Sequence, residues 1–368
     1  MKKIAFFIPS MYPTGGAELT VHELAEELQK SHEVTVITMG ENTFNNCSYR
    51  KTSLNYSTSI FSKIITTLRG HKDLEALCKK HAFDVLISNL ERPNFITLRT
   101  RLPALKKIVV VHNSHSLWKI HTRLLIKWLY KRATHVVTVS KGIERILQEE
   151  FGLSNVLTIY NPINLEESTR LAGEPLLEKD ASFFSKKIFT FVTIGRLVPI
   201  KNQNKIIQAF HKLQQEQPLS QLLIIGSGPR KRELERLIKK LDLGGHVFLL
   251  GSRENVFSIL KRSDCFIFNS SYEGFGRVLV EAASTQTRII TSDFNFGPRE
   301  LLFPDFPSNK QCSYPYTRNA HILVENENSL MLSSAMNEVV KDKKKPHLID
   351  LSLFSHTQVI ESWQRLIG

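Results

Sequence analysis

Long apolar runs are missing from this chain. The longest, such as Ile108 to Val111 and Leu222 to Ile225, fall far short of the ~18 to 20 residues a membrane-crossing helix needs. The opening MKKIAFFIPS carries two lysines, but Pro9 interrupts it before a secretory core of ~7 to 15 residues can form. It is expected to be a first β-strand in a protein that stays in the cytoplasm. Cysteine is scarce, and Cys47, Cys78, Cys265 and Cys312 form no C-x-x-C or C-x-x-H pair. Neither a zinc site nor a disulfide framework is expected from that spacing. Hydrophobic residues at 42% and charged residues at 23% exclude a disordered, collagen-like or coiled-coil chain. At ~100 to 200 residues per domain, a length of 368 predicts two domains.

Acidic residues are absent over one long window. None lies between Arg92 and Ile143, whereas Arg92, Arg99, Arg101, Lys106, Lys107, Lys119, Arg123, Lys127, Lys131, Arg132 and Lys141 all do. These 11 supply most of the net charge of +14. A field of one sign confined to one region points to an anionic partner there.

Short β-branched runs alternate with amphipathic helical stretches. In the first half the strand candidates are 3–8, 33–38, 84–89, 107–112, 135–140 and 156–160; in the second they are 188–194, 221–225, 246–250, 264–269 and 288–292. This alternation predicts parallel sheets with helices on both sides. The rhythm pauses over 166–187, where Gly173, Pro175 and a charge cluster intervene. Two doubly wound domains joined near residue 180 are therefore expected, 1–180 and 181–351, with a closing helix at 352–368 returning to the first. Residues 303–318, with three prolines and two tyrosines, read as a long loop.

Candidate chemistry lies where strand patterns end. After the first strand, Gly15-Gly16 precede a helix, so backbone amides there can approach a phosphate; a tight turn of purely structural purpose reads the same way. No G-x-G-x-x-G follows, which excludes the dinucleotide fingerprint. The second half opens with Gly195-Arg196-Leu197 and then Lys201. Two cations at a strand end suit a diphosphate, or they are solvated surface charges. The stretch Tyr272-Glu273-Gly274-Phe275-Gly276-Arg277 follows a strand and enters a helix that places Glu281 about two turns inside. Two carboxylates so placed can accept hydrogen bonds from two sugar rings. The competing reading makes Glu273 a helix cap and Glu281 a surface residue.

These motifs together resemble the family 4 retaining glycosyltransferases of GT-B fold. The resemblance rests on Glu273-x7-Glu281 within YEGFG-x4-EA, on GRL-x3-K at 195–201, on GSGP at 226–229 and on SDFNFGPREL at 292–301. It implies an α/β enzyme of two Rossmann-like, doubly wound parallel-sheet domains facing a central cleft, the first binding an acceptor and the second a nucleotide sugar such as a UDP- or GDP-sugar. By that resemblance Arg196 and Lys201 neutralise the diphosphate and Gly15 and Gly16 approach it. Glu281 holds the ribose, and Glu273 with Gly274, Phe275 and Gly276 holds the donor sugar and phosphate. The base rests near Gly228 and Arg253, and His112, at a strand end, reaches the donor sugar; a structural histidine is its other reading. The resemblance implies retention without cofactor or metal, in keeping with the lack of a D-x-D motif. Gln286, Arg288 and His321 depart from the family pattern of a small residue, proline and glycine, and are expected to border the donor.

The acidic-free window holds one more signal. Residues 117–132 read as a helix with apolar Leu117, Ile120, Leu124, Leu125, Trp128 and Leu129, and with Lys119, Arg123, Lys127 and Lys131 every four residues. This pattern suits an anionic membrane surface, or a packed helix with a solvated basic face. The neighbouring 88–94, SNLERPN, resembles the acceptor loop of enzymes that extend lipid-linked oligosaccharides. The expected activity is transfer of a hexose or N-acetylhexosamine to a lipid-linked or polymeric glycan at the inner membrane face. A teichoic-acid-type polymer glucosyltransferase and a nucleotide-sugar epimerase fit the same motifs. Nucleic-acid binding is not expected, because the window lacks an RNP-type or helix-turn-helix signature.

Overall fold

The computed structural model describes residues 1–368 except 13–14, 41, 45–46, 57–59, 114–119, 185–186, 295, 305–312 and 343. The chain divides into two compact units, Met1–Pro162 with Leu353–Gly368, and Ile163–Ser352. The first runs β1 (Lys3–Ile8), α1 (Gly16–Leu28), β2 (Glu33–Thr38), β3 (Arg50–Ser53), α2 (Ile60–His81), β4 (Val85–Asn89), α3 (Glu91–Arg99), β5 (Lys106–Val111), α4 (Ile120–Leu129), β6 (His135–Thr138), α5 (Lys141–Glu149) and β7 (Val156–Thr158). The second runs α6 (Leu165–Gly173), α7 (Glu178–Ala181), β8 (Phe189–Ile194), α8 (Gln203–Glu216), β9 (Ser220–Ile225), α9 (Lys231–Lys240), β10 (Val247–Gly251), α10 (Phe257–Arg262), β11 (Cys265–Phe268), α11 (Arg277–Ser284), β12 (Arg288–Ser292), α12 (Pro298–Leu302), β13 (Tyr316–Arg318), β14 (His321–Val324) and α13 (Ser329–Lys341). The chain closes on α14 (His356–Ile367).

The first sheet is ordered β3-β2-β1-β4-β5-β6-β7 and the second β10-β9-β8-β11-β12-β14-β13. All pairings are parallel except β13 with β14. Strand order reverses between β1 and β4 in the first unit and between β8 and β11 in the second. Loops leaving the carboxyl ends of two such strands diverge to opposite faces, and the crevice they leave is where doubly wound sheets take ligands.

The central strands are buried on both faces, which explains their continuous apolar sequences. In the first unit one face packs Val21, Leu24 and Leu28 of α1 with Val359, Ile360, Trp363 and Ile367 of α14. Trp363 is 3% exposed, so α14 belongs to this core although it lies more than 180 residues downstream of β7. Ser355 caps α14 by accepting the Gln358 amide. In the second unit Ile206, Ile207, Phe210 and Leu213 form the buried face of α8, against Leu222, Ile224 and Val247.

Two expectations need correction, and one strand was not anticipated. The division falls at Pro162/Ile163, not near residue 180, because the stretch expected to be irregular folds as α6 and α7 on the second unit: Asn255 Nδ2 donates to Leu171 O at 2.9 Å. Residues 303–318 are not all loop, since Tyr316–Arg318 form an antiparallel edge strand. β3, of sequence RKTS with both Arg50 and Lys51 exposed, is an edge strand that carries no hydrophobic signal.

Candidate functional site

In the second unit the chain leaves β8 through Gly195 and Arg196, makes a short 3-10 turn at Pro199–Lys201, and enters α8 by way of Asn202 in the left-handed region at φ 50. That turn carries the Lys201 ammonium across the reversal point to β11. There it pairs with the Glu273 carboxylate and lies 5.3 Å above the Phe268 ring. Both charged side chains are less than one-fifth exposed. Arg196 is exposed at the same edge. Glu273 does not cap α11: Gly276 is the N-cap of a helix that begins at Arg277, and no side chain caps it, so the positive dipole end of α11 lies at the strand-end edge that Lys201 and Glu273 occupy.

Neighbouring loops hold this arrangement in place. Asn202 Nδ2 donates to Ser271 Oγ at 2.8 Å, and Ser271 N donates to Ile200 O at 2.8 Å. Ser271 Oγ in turn donates to Glu327 Oε1 at 2.8 Å, and Lys205 pairs with Glu327 at 2.9 Å. These two partners hold the Glu327 carboxyl below its ordinary value, the Lys205 contact being the larger cause. The loop after β9 lies directly on the loop after β8: Leu197 N donates to Ser227 O at 2.9 Å. A Cβ at Gly226, where φ is 140, would stand 2.0 Å from Gly195 O. At Gly297, φ 66, it would stand 1.8 Å from Phe275 O. The GSGP and FGP glycines are thus demanded by close backbone contact beneath the site.

Glu281 lies one turn inside α11, not two, because the helix begins only at Arg277; its carboxylate is 3.4 Å from Arg277 Nε. The sequence reading set Arg253 beside a nucleotide base. In the structure its guanidinium grips Asp180 through Nε and a terminal nitrogen, both at 2.7 Å. Asp180 is 2% exposed, so Arg253 fastens α7 to the second unit. Gln286, Arg288 and His321 do not border the candidate site. They sit at the amino-terminal ends of β12 and β14, the opposite sheet edge. Arg288 donates there to the Val339 and Asp342 carbonyls at the end of α13, and His321 Nδ1 accepts the Ile289 amide at 3.1 Å.

In the first unit, Gly15 forms the N-cap of α1 with no side-chain cap, and a Cβ on Gly16 would meet nothing within 4 Å. The protein's own packing therefore does not require glycine at 16. His112 follows β5, and its Nε2 lies 2.9 Å from Asn89 Oδ1 at the end of β4. Burial pushes the His112 imidazole down to about 4, so the ring is neutral; with Nε2–H donating to Asn89, Nδ1 is its acceptor nitrogen. Leu90 adopts φ 72 immediately before α3, a backbone strain of the kind retained at functional sites. Within SNLERPN, Asn94 is a structural anchor: it donates to Val110 O at 3.0 Å and accepts from Ser88 Oγ at 2.8 Å.

Comparison with known proteins decides what these two units are. The model for Glycosyltransferase Family 4 matches residues 14–167, and that for Glycosyl transferases group 1 matches 177–350. Over 326 residues, 83% of this chain and 84% of the relative, the sequence is 30% identical to an N-acetylgalactosamine-N,N'-diacetylbacillosaminyl-diphospho-undecaprenol 4-alpha-N-acetylgalactosaminyltransferase of Campylobacter jejuni. The chain belongs to the family 4 glycosyltransferases. An uncharacterized glycosyltransferase of Methanocaldococcus jannaschii is 32% identical over 232 residues, 62% of this chain and 57% of its own. Anabaena HepE, solved with UDP and glucose, shares the fold at a TM-score of 0.78 and 18% identity, covering 100% and 99% of the two chains. The protein is thus a glycosyltransferase of GT-B fold.

Some parts of this glycosyltransferase had no sequence signal. The Asn202–Ser271–Glu327 chain joins three distant segments, and none of its members belongs to a charged motif. Within the SDFNFGPREL motif, which the sequence did show, Asp293 at the end of β12 accepts from Arg299 Nε at 2.9 and 3.0 Å. Trp118, Leu117 and Lys119 of the basic stretch lie outside the described residues. The described part of α4 buries Ile126 and Leu129 but exposes Leu124 (69%), Leu125 (44%) and Trp128 (62%). Lys127, Lys131 and Arg132 are exposed beside them, with the Arg132 guanidinium 4.1 Å from the Trp128 ring centroid. Arg123 is turned away, paired to Glu150 at 3.0 Å.

Proposed function

We propose that this glycosyltransferase moves a hexose or N-acetylhexosamine, with retention and without a metal, from a nucleoside-diphosphate sugar to a lipid-linked glycan. The observation that carries the donor half is the meeting of Lys201, Glu273 and the uncapped start of α11 at the reversal point of the second sheet. Departure of a nucleoside diphosphate builds negative charge on its phosphate oxygens. Lys201, Arg196 and the α11 dipole are fixed donors for that charge and need no reorganisation at the moment of reaction. Glu273 and Glu281 offer acceptors to the hydroxyls of the donor sugar and the ribose.

The acceptor half rests on the first unit. The Campylobacter relative acts on an undecaprenol-linked sugar by its name, and α4 presents apolar and basic groups together. Leucine and tryptophan entering the headgroup layer, with lysines against anionic lipid, would bring the enzyme to such an acceptor. Among the described residues no helix is long and apolar enough to cross a membrane. A thermal-shift panel of UDP-, GDP- and other nucleotide sugars tests the donor half. One base should raise the melting temperature at micromolar to millimolar ligand, and the rise should vanish in Glu281→Ala; no rise with any nucleotide sugar contradicts the reading.

A further inference from the structure

A side-chain cluster in the first unit is not used by this reading. His22 and Glu26 stand four residues apart on α1 and so share one helix face. The segment after β2 brings Cys47 to that face. A ring nitrogen of His22, a carboxylate oxygen of Glu26 and the Cys47 sulfur all lie within 4.8 Å of one another, and all three residues are half-buried. The surroundings hold each donor. The His22 ring stacks on Phe44 with centroids 4.5 Å apart, and its Nδ1 lies 3.1 Å from the hydroxyl of Tyr49, which is 3% exposed. Glu26 accepts from the Ser48 amide at 2.9 Å and from its hydroxyl at 2.6 Å.

We propose that His22, Glu26 and Cys47 bind a zinc ion that pins the Cys47–Tyr49 segment to α1. One thiolate, one imidazole and one carboxylate form a borderline-soft donor set, which suits Zn²⁺ and does not suit the all-oxygen preference of Mg²⁺ or Ca²⁺. Tetrahedral zinc with bonds of ~2.0 to 2.3 Å sets its ligand atoms ~3.3 to 3.8 Å apart, so side-chain rotations of about 1 Å close the cluster on the ion. Tyr49 and Ser48 are outer-shell partners that orient the imidazole and the carboxylate. Binding releases the Cys47 thiol proton to solvent, and three protein ligands leave a fourth position for water. The ion acts on structure: it ties down α1, the helix that Gly16 opens and Gly15 caps. The spacing of the four cysteines could not show this, because two of the ligands are not cysteines and the third arrives from beyond the next strand.

The test is a Co²⁺ titration of the chelator-treated full chain, followed by Zn²⁺. We expect one-to-one binding with a thiolate-to-cobalt charge-transfer band that Zn²⁺ abolishes. Cys47→Ser should remove the band. His22→Gln and Glu26→Gln should each weaken cobalt binding about tenfold or more, and Tyr49→Phe about tenfold. No charge-transfer band, or one that persists in Cys47→Ser, overturns the proposal. Should Cys47→Ser fail to fold, alkylation of the unmodified protein decides: Zn²⁺ must slow modification of Cys47, and an unchanged rate overturns the site.

Discussion

Replacing Lys201 with methionine isolates its charge, because methionine keeps an unbranched stem over the Phe268 ring, 5.3 Å from the ammonium in the native chain. At ~4 Å and an effective dielectric of ~20, two unit charges interact by ~4 kcal/mol. The Glu273 carboxylate, already paired with Lys201, offsets part of that. A net ~3 to 4 kcal/mol of transition-state stabilisation is left, and at ~1.4 kcal/mol per decade kcat/KM should fall about 10²- to 10³-fold. Stability should change much less. The pair is largely shielded, with side chains 17% and 18% exposed, and leaving Glu273 without its partner there costs ~1 to 2 kcal/mol, or a few degrees in Tm. The assay couples nucleoside-diphosphate release to steady-state kinetics and runs beside a thermal melt. A folded Lys201→Met enzyme whose kcat/KM stays within about threefold of the parent refutes the assignment, as does a loss that merely follows a collapse in Tm.

His321 and α4 give two further predictions. His321 is 1% exposed, and burial, with Arg288 adding to it, pushes its imidazole down to about 4 from 6.5. The unfolded chain therefore takes up the proton first, and stability present above pH ~6.5 is lost as pH falls toward 4, by ~3 kcal/mol in all. Urea unfolding at pH 7 and pH 4.5 should show a loss ~2 kcal/mol smaller in His321→Asn; equal losses would place the acid sensitivity elsewhere. For α4, flotation should recover the protein with anionic vesicles far better than with neutral ones, and Trp128→Ala with Leu124→Ser should cut that recovery severalfold. Equal recovery on both vesicle types would sink the membrane reading.

The central strands were legible because burial on both faces writes itself as apolar runs, from KIAFFI to RIITS. β3 was not, since RKTS lies at a solvated edge where pairing places no demand on hydrophobicity. α6 and α7 were obscured by Gly173, Pro175 and their charges, and only contact with the second unit shows to which core they belong. Among site residues, those in strand-end motifs could be read locally: Lys201 and Glu273 each follow a strand that meets the reversal point. Those whose partner is remote could not. The Asp180 partner of Arg253 lies in another segment, and no local pattern announces the pair. Arg288 and His321 were misplaced for a related reason, because a departure from a family pattern does not reveal which sheet edge the position occupies.

The central claim is sugar transfer from a nucleotide to a lipid-linked acceptor. Its most direct measurement is incubation of the purified enzyme with the nucleotide sugar selected by thermal shift and an undecaprenyl-diphosphate-linked saccharide, without added Mg²⁺ or Mn²⁺, with analysis of the lipid product by mass and anomeric configuration. The account predicts acceptor-dependent consumption of the donor and a lipid glycan one sugar longer, bearing the donor's own anomeric configuration. Donor turnover indifferent to the acceptor, a product of inverted configuration, or activity that appears only on addition of Mg²⁺ or Mn²⁺ would contradict it.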